Sequence, residues 1–119
     1  MINVKPQIYE ALKKVCDNVN DVYPSDWANF PVVSYIEENN STRYWTDGRE
    51  QYANIRFKID IWCKNQSTSN LAILVDDEMN KLGLKRTQAL DVPDPSGLKH
   101  KVLRYDGLIN VNNEIVYDN

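Results

Sequence analysis

His100 is the chain's single histidine, and it stands between Lys99 and Lys101 in a predicted strand. A metal site of the ordinary type needs several His, Cys or carboxylate ligands, and neither a cysteine nor a second histidine stands near it. As a general base the imidazole would need an orienting carboxylate, which the sequence does not place. A solvated strand residue is therefore the favoured reading. Asp76-Asp77-Glu78 is the next cluster able to do chemistry. On a helix, consecutive residues fan out by about 100° each, so a run of three does not converge on one cation. The run reads as a solvated helix face, with Glu78 near the apolar stripe as an interface or core-edge charge.

Pro93-Asp94 has the opening of a metal-dependent nuclease motif, which also requires an acidic residue two positions before a lysine on a following strand. Lys99-His100-Lys101 follows instead, and the motif is rejected. Gly48, Gly83, Gly97 and Gly107 are the only glycines. Each fits a turn or a helix end, and they form no phosphate-binding loop. No G-x-S-x-G is present, and Cys16 and Cys63 have no base placed beside them. The two cysteines lie on different predicted elements without a CxxC, so buried free thiols are expected. No cofactor and no catalytic mechanism emerge, which points to structural or assembly work.

Two other sets of residues suggest binding. Lys85, Arg86, Lys99, Lys101 and Arg104 flank the Pro-rich segment 91–97. If the strands on either side pair across it, these charges share one face, available to a protein or to passing DNA. The alternative is a solvated strand pair with a mobile loop between. Tyr23, Trp27, Tyr44, Trp45, Tyr52 and Trp62 fall in loops, turns or the polar side of a strand. Tyr and Trp bury large area at low entropy cost and are favoured at interfaces, so their number here favours oligomerisation over rim-covering of a small core.

A chain of 119 residues with 42% apolar and 26% charged residues suits one globular domain, 1–119, rather than disorder. A net charge of -3 with both signs scattered argues against a dedicated nucleic-acid binder. Its apolar runs are too short to span a bilayer, and Met1–Pro6 lacks the apolar stretch of a signal peptide. The expectation is a protein that folds in the cytoplasm.

A first helix is expected over Val4–Asn18, capped by Asn3, with Pro6 in its first turn and Ile8, Ala11, Leu12, Val15 and Val19 as its stripe. Asn20–Asn29 reads as a loop and Phe30–Glu38 as a strand; Asn39-Asn40-Ser41 is turn material before a short strand, Thr42–Thr46. Asp47-Gly48 signals a tight turn. The clearest pattern follows: Ile55, Phe57, Ile59, Ile61 and Cys63 alternate with Asn54, Arg56, Lys58, Asp60 and Lys64, with Trp62 odd in the polar set. Period two means a strand with one face in the core and the other wet. Asn65–Ser69 caps a second helix to about Leu82, with Leu71, Leu74, Val75, Glu78, Met79 and Leu82 along one side and Gly83 ending it. Strands are then expected at Leu84–Ala89, at Lys99–Tyr105 continuing past Asp106-Gly107 to Val111, and, after a turn at Asn112-Asn113, at Ile115–Tyr117. The fold class is α+β: two helices packed on one mostly antiparallel, twisted sheet of about four to six strands.

The ordered pattern resembles the tail-terminator family of long-tailed bacteriophages and prophages, also called tail completion or head-to-tail joining proteins. It comprises Tyr23-Pro24 after the first helix, Pro31-Val32-Val33-Ser34-Tyr35, Asn39-Asn40, Asp47-Gly48, the strand Tyr52–Trp62, Leu82-Gly83, the Pro-rich loop, and Lys101-Val102-Leu103-Arg104-Tyr105-Asp106-Gly107 before a short strand ending at Tyr117. It spans nearly the whole chain without any single diagnostic motif. The resemblance implies a non-catalytic virion-tail subunit that assembles, often as a hexameric ring, on the head-proximal end of the tail tube. Its partners would be further copies of itself, the tail tube protein and a head-completion protein, with DNA only passing through and no membrane. A ring needs two different patches of one subunit to meet. The exposed faces nominate Arg56, Lys58, Asp60 and Trp62, the segment around Trp45, and the 91–97 loop with Asp94, beside Lys99 and Lys101; the family pattern itself fixes no contact residues. A head-closure or minor capsid component, or a host adaptor module, remains the alternative.

Overall fold

The computed structural model describes residues 1–110 and the backbone of 115–117. Its elements, in order, are α1 (Lys5–Lys13), β1 (Asn18–Asp21), β2 (Val32–Thr46), β3 (Arg49–Cys63), α2 (Ser69–Lys81), β4 (Lys85–Val92), β5 (Lys99–Asn110) and β6 (Ile115–Tyr117). All the strands join one sheet in the order β1-β2-β3-β5-β4, with β6 added to β5. Among the described residues, only the β1–β2 pair is parallel. The fold is α+β, as the alternation of patterns predicts.

The centre is β3. Ile55, Phe57, Ile59, Ile61 and Cys63 are all buried on one face, and Leu103 and Tyr105 of β5 sit directly opposite Ile59 and Phe57. Ile8, Ala11 and Leu12 of α1 and Leu71, Ala72, Val75 and Met79 of α2 join the same cluster, so both helices cover this face. Removing this much apolar surface from water is the main favourable term, at roughly 25 cal/mol per Å². α2 rotates slightly from the expected stripe: Ala72 points inward while Leu74 is half exposed. It ends as Gly83 predicts. Gly83 takes a φ of 85°, its N–H donates to the Asn80 carbonyl, and the Leu84 N–H donates to the Met79 carbonyl, closing the last turn.

Several boundaries differ from the sequence expectation. α1 stops at Lys13, and part of the expected loop 20–29 is strand β1, held by the neighbouring β2 backbone. Asn39-Asn40-Ser41 is not a turn; β2 runs through it with a bulge at Glu38, and Asn40 Nδ2 donates to the Ile2 carbonyl at 2.7 Å. The ladder to β3 and this tie outweigh the turn preference of the Asn pair. Asp47 and Gly48, with φ of 55° and 75°, then make the tight hairpin turn. β4 continues to Val92, where Asp91 is paired with Lys101, whereas β5 runs on past Asp106-Gly107 as expected. The expected turn at Asn112-Asn113 lies outside the described residues.

Asp76 is not a purely solvated helix charge. Tyr105, fully buried, donates its hydroxyl to Asp76 Oδ1 at 2.8 Å, and Arg86 of β4 reaches Asp76 Oδ2 at 2.9 Å. Glu78 turns the other way, to Lys81 at 2.7 Å and Lys14 of α1 at 3.7 Å. Burial first, then the hydrogen bond to the Asp76 carboxylate, pushes the Tyr105 phenol pKa far up. Its contribution to stability is fully present below the unfolded value of about 10 and is lost as pH rises above it. Tyr105→Phe is expected to cost about 1–2 kcal/mol at neutral pH in urea unfolding, with the gap to the parent narrowing as pH climbs above about 10. A gap that stays constant would show that the phenol is not held protonated.

Candidate interaction site

Antiparallel partners share a face, so the register assigns the side of the sheet away from the helices. It carries Arg56 opposite Asp106, Lys58 opposite Arg104, Asp60 opposite Val102, and Trp62 opposite His100. Val32 and Ser34 of β2 oppose Trp62 and Asp60 on the same side. Val32, Ser34, Asp60 and Val102 are all buried, although no helix covers them. The segment between β1 and β2 folds over this end. Val22, in the left-handed region at φ 69°, turns the chain out of β1, an uncommon geometry for a β-branched residue. Asn18 Nδ2 then holds the segment by donating to the carbonyls of Asp26 and Asn29, both at 2.9 Å.

That turn places a run of rings across the face. Tyr23 meets Trp27 edge-on at 6.2 Å between centroids, Trp27 meets Trp62 at 5.1 Å, and Phe30 lies 6.4 Å from Trp27. Trp62 stacks on His100 at 4.5 Å. With Lys64, Asp94, Ser96 and Leu98 these rings line an open cleft of about 610 Å³. Beneath it, His100 Nε2 lies 2.8 Å from Asp60 Oδ1; a carboxylate accepts, so Nε2 carries the hydrogen. Lys58 Nζ sits 3.4 Å from the other oxygen of Asp60. Asp94 at the cleft wall accepts from the hydroxyl of Ser96 at 2.6 Å and from its N–H at 2.9 Å, which holds its pKa below the usual carboxylate range.

The nominated residues therefore separate into groups. Trp62 and Asp94 meet in the cleft. Asp60 is not on a wet face: it is 3% exposed, shielded by the neighbours its strand partner supplies. His100 is correspondingly not a simple solvated residue, because Asp60 is the carboxylate whose place the linear sequence conceals. Arg56 lies further along the same face and makes a two-point pair with Asp106 at 2.8 and 3.2 Å. Lys99 and Lys101, opposite Cys63 and Ile61, belong to the helix side, and Lys101 is paired with Asp91 at 3.0 Å. Arg86 also faces that side, whereas Arg104 and Lys85 face the other. The basic set does not share one face. Trp45 stands apart at the end of the β2–β3 hairpin. Phe30, Lys64, Ser96 and Leu98 were missed; the signal available was the phase of Trp62 in its strand, which predicts aromatic company on the face away from the core.

Chemically, the cleft offers stacking surface, one carboxylate, one ammonium and an imidazole whose hydrogen-bond partner is Asp60. The Ser96 hydroxyl in its lining is engaged with Asp94. Cys16 and Cys63 are buried free thiols, and burial pushes both pKa values up, away from the thiolate that nucleophilic work requires. Stacking and hydrogen bonding are what this lining can offer.

No family model matches the chain, and no curated protein matches it. Among solved structures it is similar to one described as the structure of bacteriophage SPP1 gp17 protein, at 13% identity and a TM-score of 0.46 over 92% of this chain and 88% of that one. No residue role is taken from that likeness.

Asp60→Ala is expected to lower stability by about 2–3 kcal/mol, since it strands a partly buried imidazole and ammonium. Asp60→Asn, which keeps an acceptor for Nε2, should lose less. Thermal unfolding followed by tryptophan fluorescence checks both. An Asp60→Ala protein as stable as the parent would return Asp60 to the solvated class.

Proposed function

We propose that the chain is a structural assembly protein of a bacteriophage or prophage tail, forming a ring that closes the tail tube and joins it to the head. The observation that carries this reading is the separation of two exposed aromatic surfaces on one elongated subunit. The molecule measures 53 × 24 × 23 Å. Its long axis exceeds what a compact chain of this length needs, and the cleft and the hairpin end carry Tyr23, Trp27, Tyr44 and Trp45 outside the core. Two unlike patches on one subunit suit a head-to-tail interface, which closes into a ring when the rotation permits. The order and spacing of motifs along nearly the entire chain support the same reading. No catalysis belongs to it; interface geometry is the function, in the virion tail. The tail tube protein and a head-completion protein are the expected partners, and DNA would pass through the lumen without sequence readout.

The test is light scattering across concentration, with electron microscopy of the purified chain alone and mixed with its tail tube protein. Closed rings capping tube ends are the expected result. A chain that stays monomeric beside assembled tubes and leaves their length unrestricted would overturn the proposal.

A further inference from the structure

The β2–β3 hairpin continues beyond the helix-covered core as an arm. Residues 42–49 are exposed, and Tyr44 and Trp45 are 53% and 60% exposed there. Tyr44 is braced edge-on by Tyr52 at 5.7 Å, and the Arg43 guanidinium lies 5.9 Å from its ring, so the tip presents an ordered aromatic pair with a cation. Glu50 is already engaged by the Thr42 hydroxyl and the Met1 amino group. That leaves Arg43 and Arg49 against Asp47, a locally positive tip. The cleft carries no such excess: among its lining residues Asp94, whose pKa Ser96 holds low, stands against Lys64.

Tip and cleft lie at opposite ends of the same strand: Trp45 pairs with Glu50 at one end of β3, and Val32 pairs with Trp62 at the other. At about 3.3 Å per residue they are roughly 40 Å apart along a continuous ladder, so a subunit's tip cannot reach its own cleft. We infer that the hairpin tip of one copy, led by Tyr44 and Trp45, seats in the aromatic cleft of the next copy, among Tyr23, Trp27 and Trp62. The contact is aromatic on aromatic, with Asp94 the cleft carboxylate within reach of Arg43 or Arg49. Two such side chains bury roughly 300–500 Å² on the tip side, less than the about 800 Å² per partner of a standard interface. One joint is weak, and closure into a ring supplies the remaining strength. The inference deepens the ring reading and rests on it for closure alone.

Sedimentation velocity over a wide concentration range tests it on the parent chain, Trp45→Ala, Trp27→Ala and an equimolar mixture of the two variants. The parent should associate beyond a dimer as concentration rises, and each variant alone should do so at least tenfold more weakly. The mixture should recover a dimer and nothing larger, because the intact tip of one variant fits the intact cleft of the other. Tyr23→Ala, at a residue 72% exposed, repeats the cleft arm should Trp27→Ala fold poorly. Variants that assemble like the parent would overturn the tip-to-cleft joint while leaving the ring reading to other surfaces. A monomeric parent, or folded variants whose mixture forms no dimer, would overturn it as well, and the ring reading would then stand or fall on tube capping.

Discussion

The structure depends on the apolar alternation of β3. A strand with Ile55, Phe57, Ile59, Ile61 and Cys63 on one side must find cover there, and both helices supply it. A slip of one residue in its pairing would move that whole set to the opposite side, so the register with β2 and β5 is strongly specified. Once it is set, everything at the other phase is also placed: Asp60 must face Ser34 and Val102, and Trp62 must face His100. The cleft is a by-product of the same constraint that builds the core.

The side away from the helices is a second, smaller interior. Val32 and Val102 are buried there apart from the main cluster, and the polar groups among them are largely matched in pairs. Asp60 has His100 and Lys58, Arg104 reaches Glu38 at 3.1 Å, and Arg56 has Asp106. Glu38 follows Val32, Ser34 and Ile36 in phase, so its carboxylate lies on the side of Arg104, and the bulge there brings Asn39 to this side as well. The Ser34 hydroxyl, buried beside Asp60, is the exception and has no partner among the described residues. Buried polar pairs contribute little net stability, yet each is costly to break from one side.

Legibility followed locality. The β3 alternation, the Asp47-Gly48 turn and the Gly83 helix end were readable because each depends on residues close in sequence and on one backbone preference. The burial of Asp60 was not, since its partner His100 is on a different strand and the period-two rule assigns an aspartate at that phase to water. β1 was missed because Asn18, Asn20 and Asp21 have low strand propensity and the element exists only through its parallel ladder to β2. The cleft was half visible. Tyr23, Trp27 and Trp62 stood out as aromatics without a core role, but bringing them together required the turn at Val22, which no local signal marks.

β4 closes the sheet on one side, with an exposed backbone along Lys85–Val92. Such an open margin invites strand-by-strand pairing of one sheet onto the next without limit. Here it is guarded: Lys85 and Arg86 open it, an irregularity after Arg86 spoils its regular spacing, and Pro93 ends it. With the margin guarded in this way, copies of the chain are kept from adding to one another strand by strand.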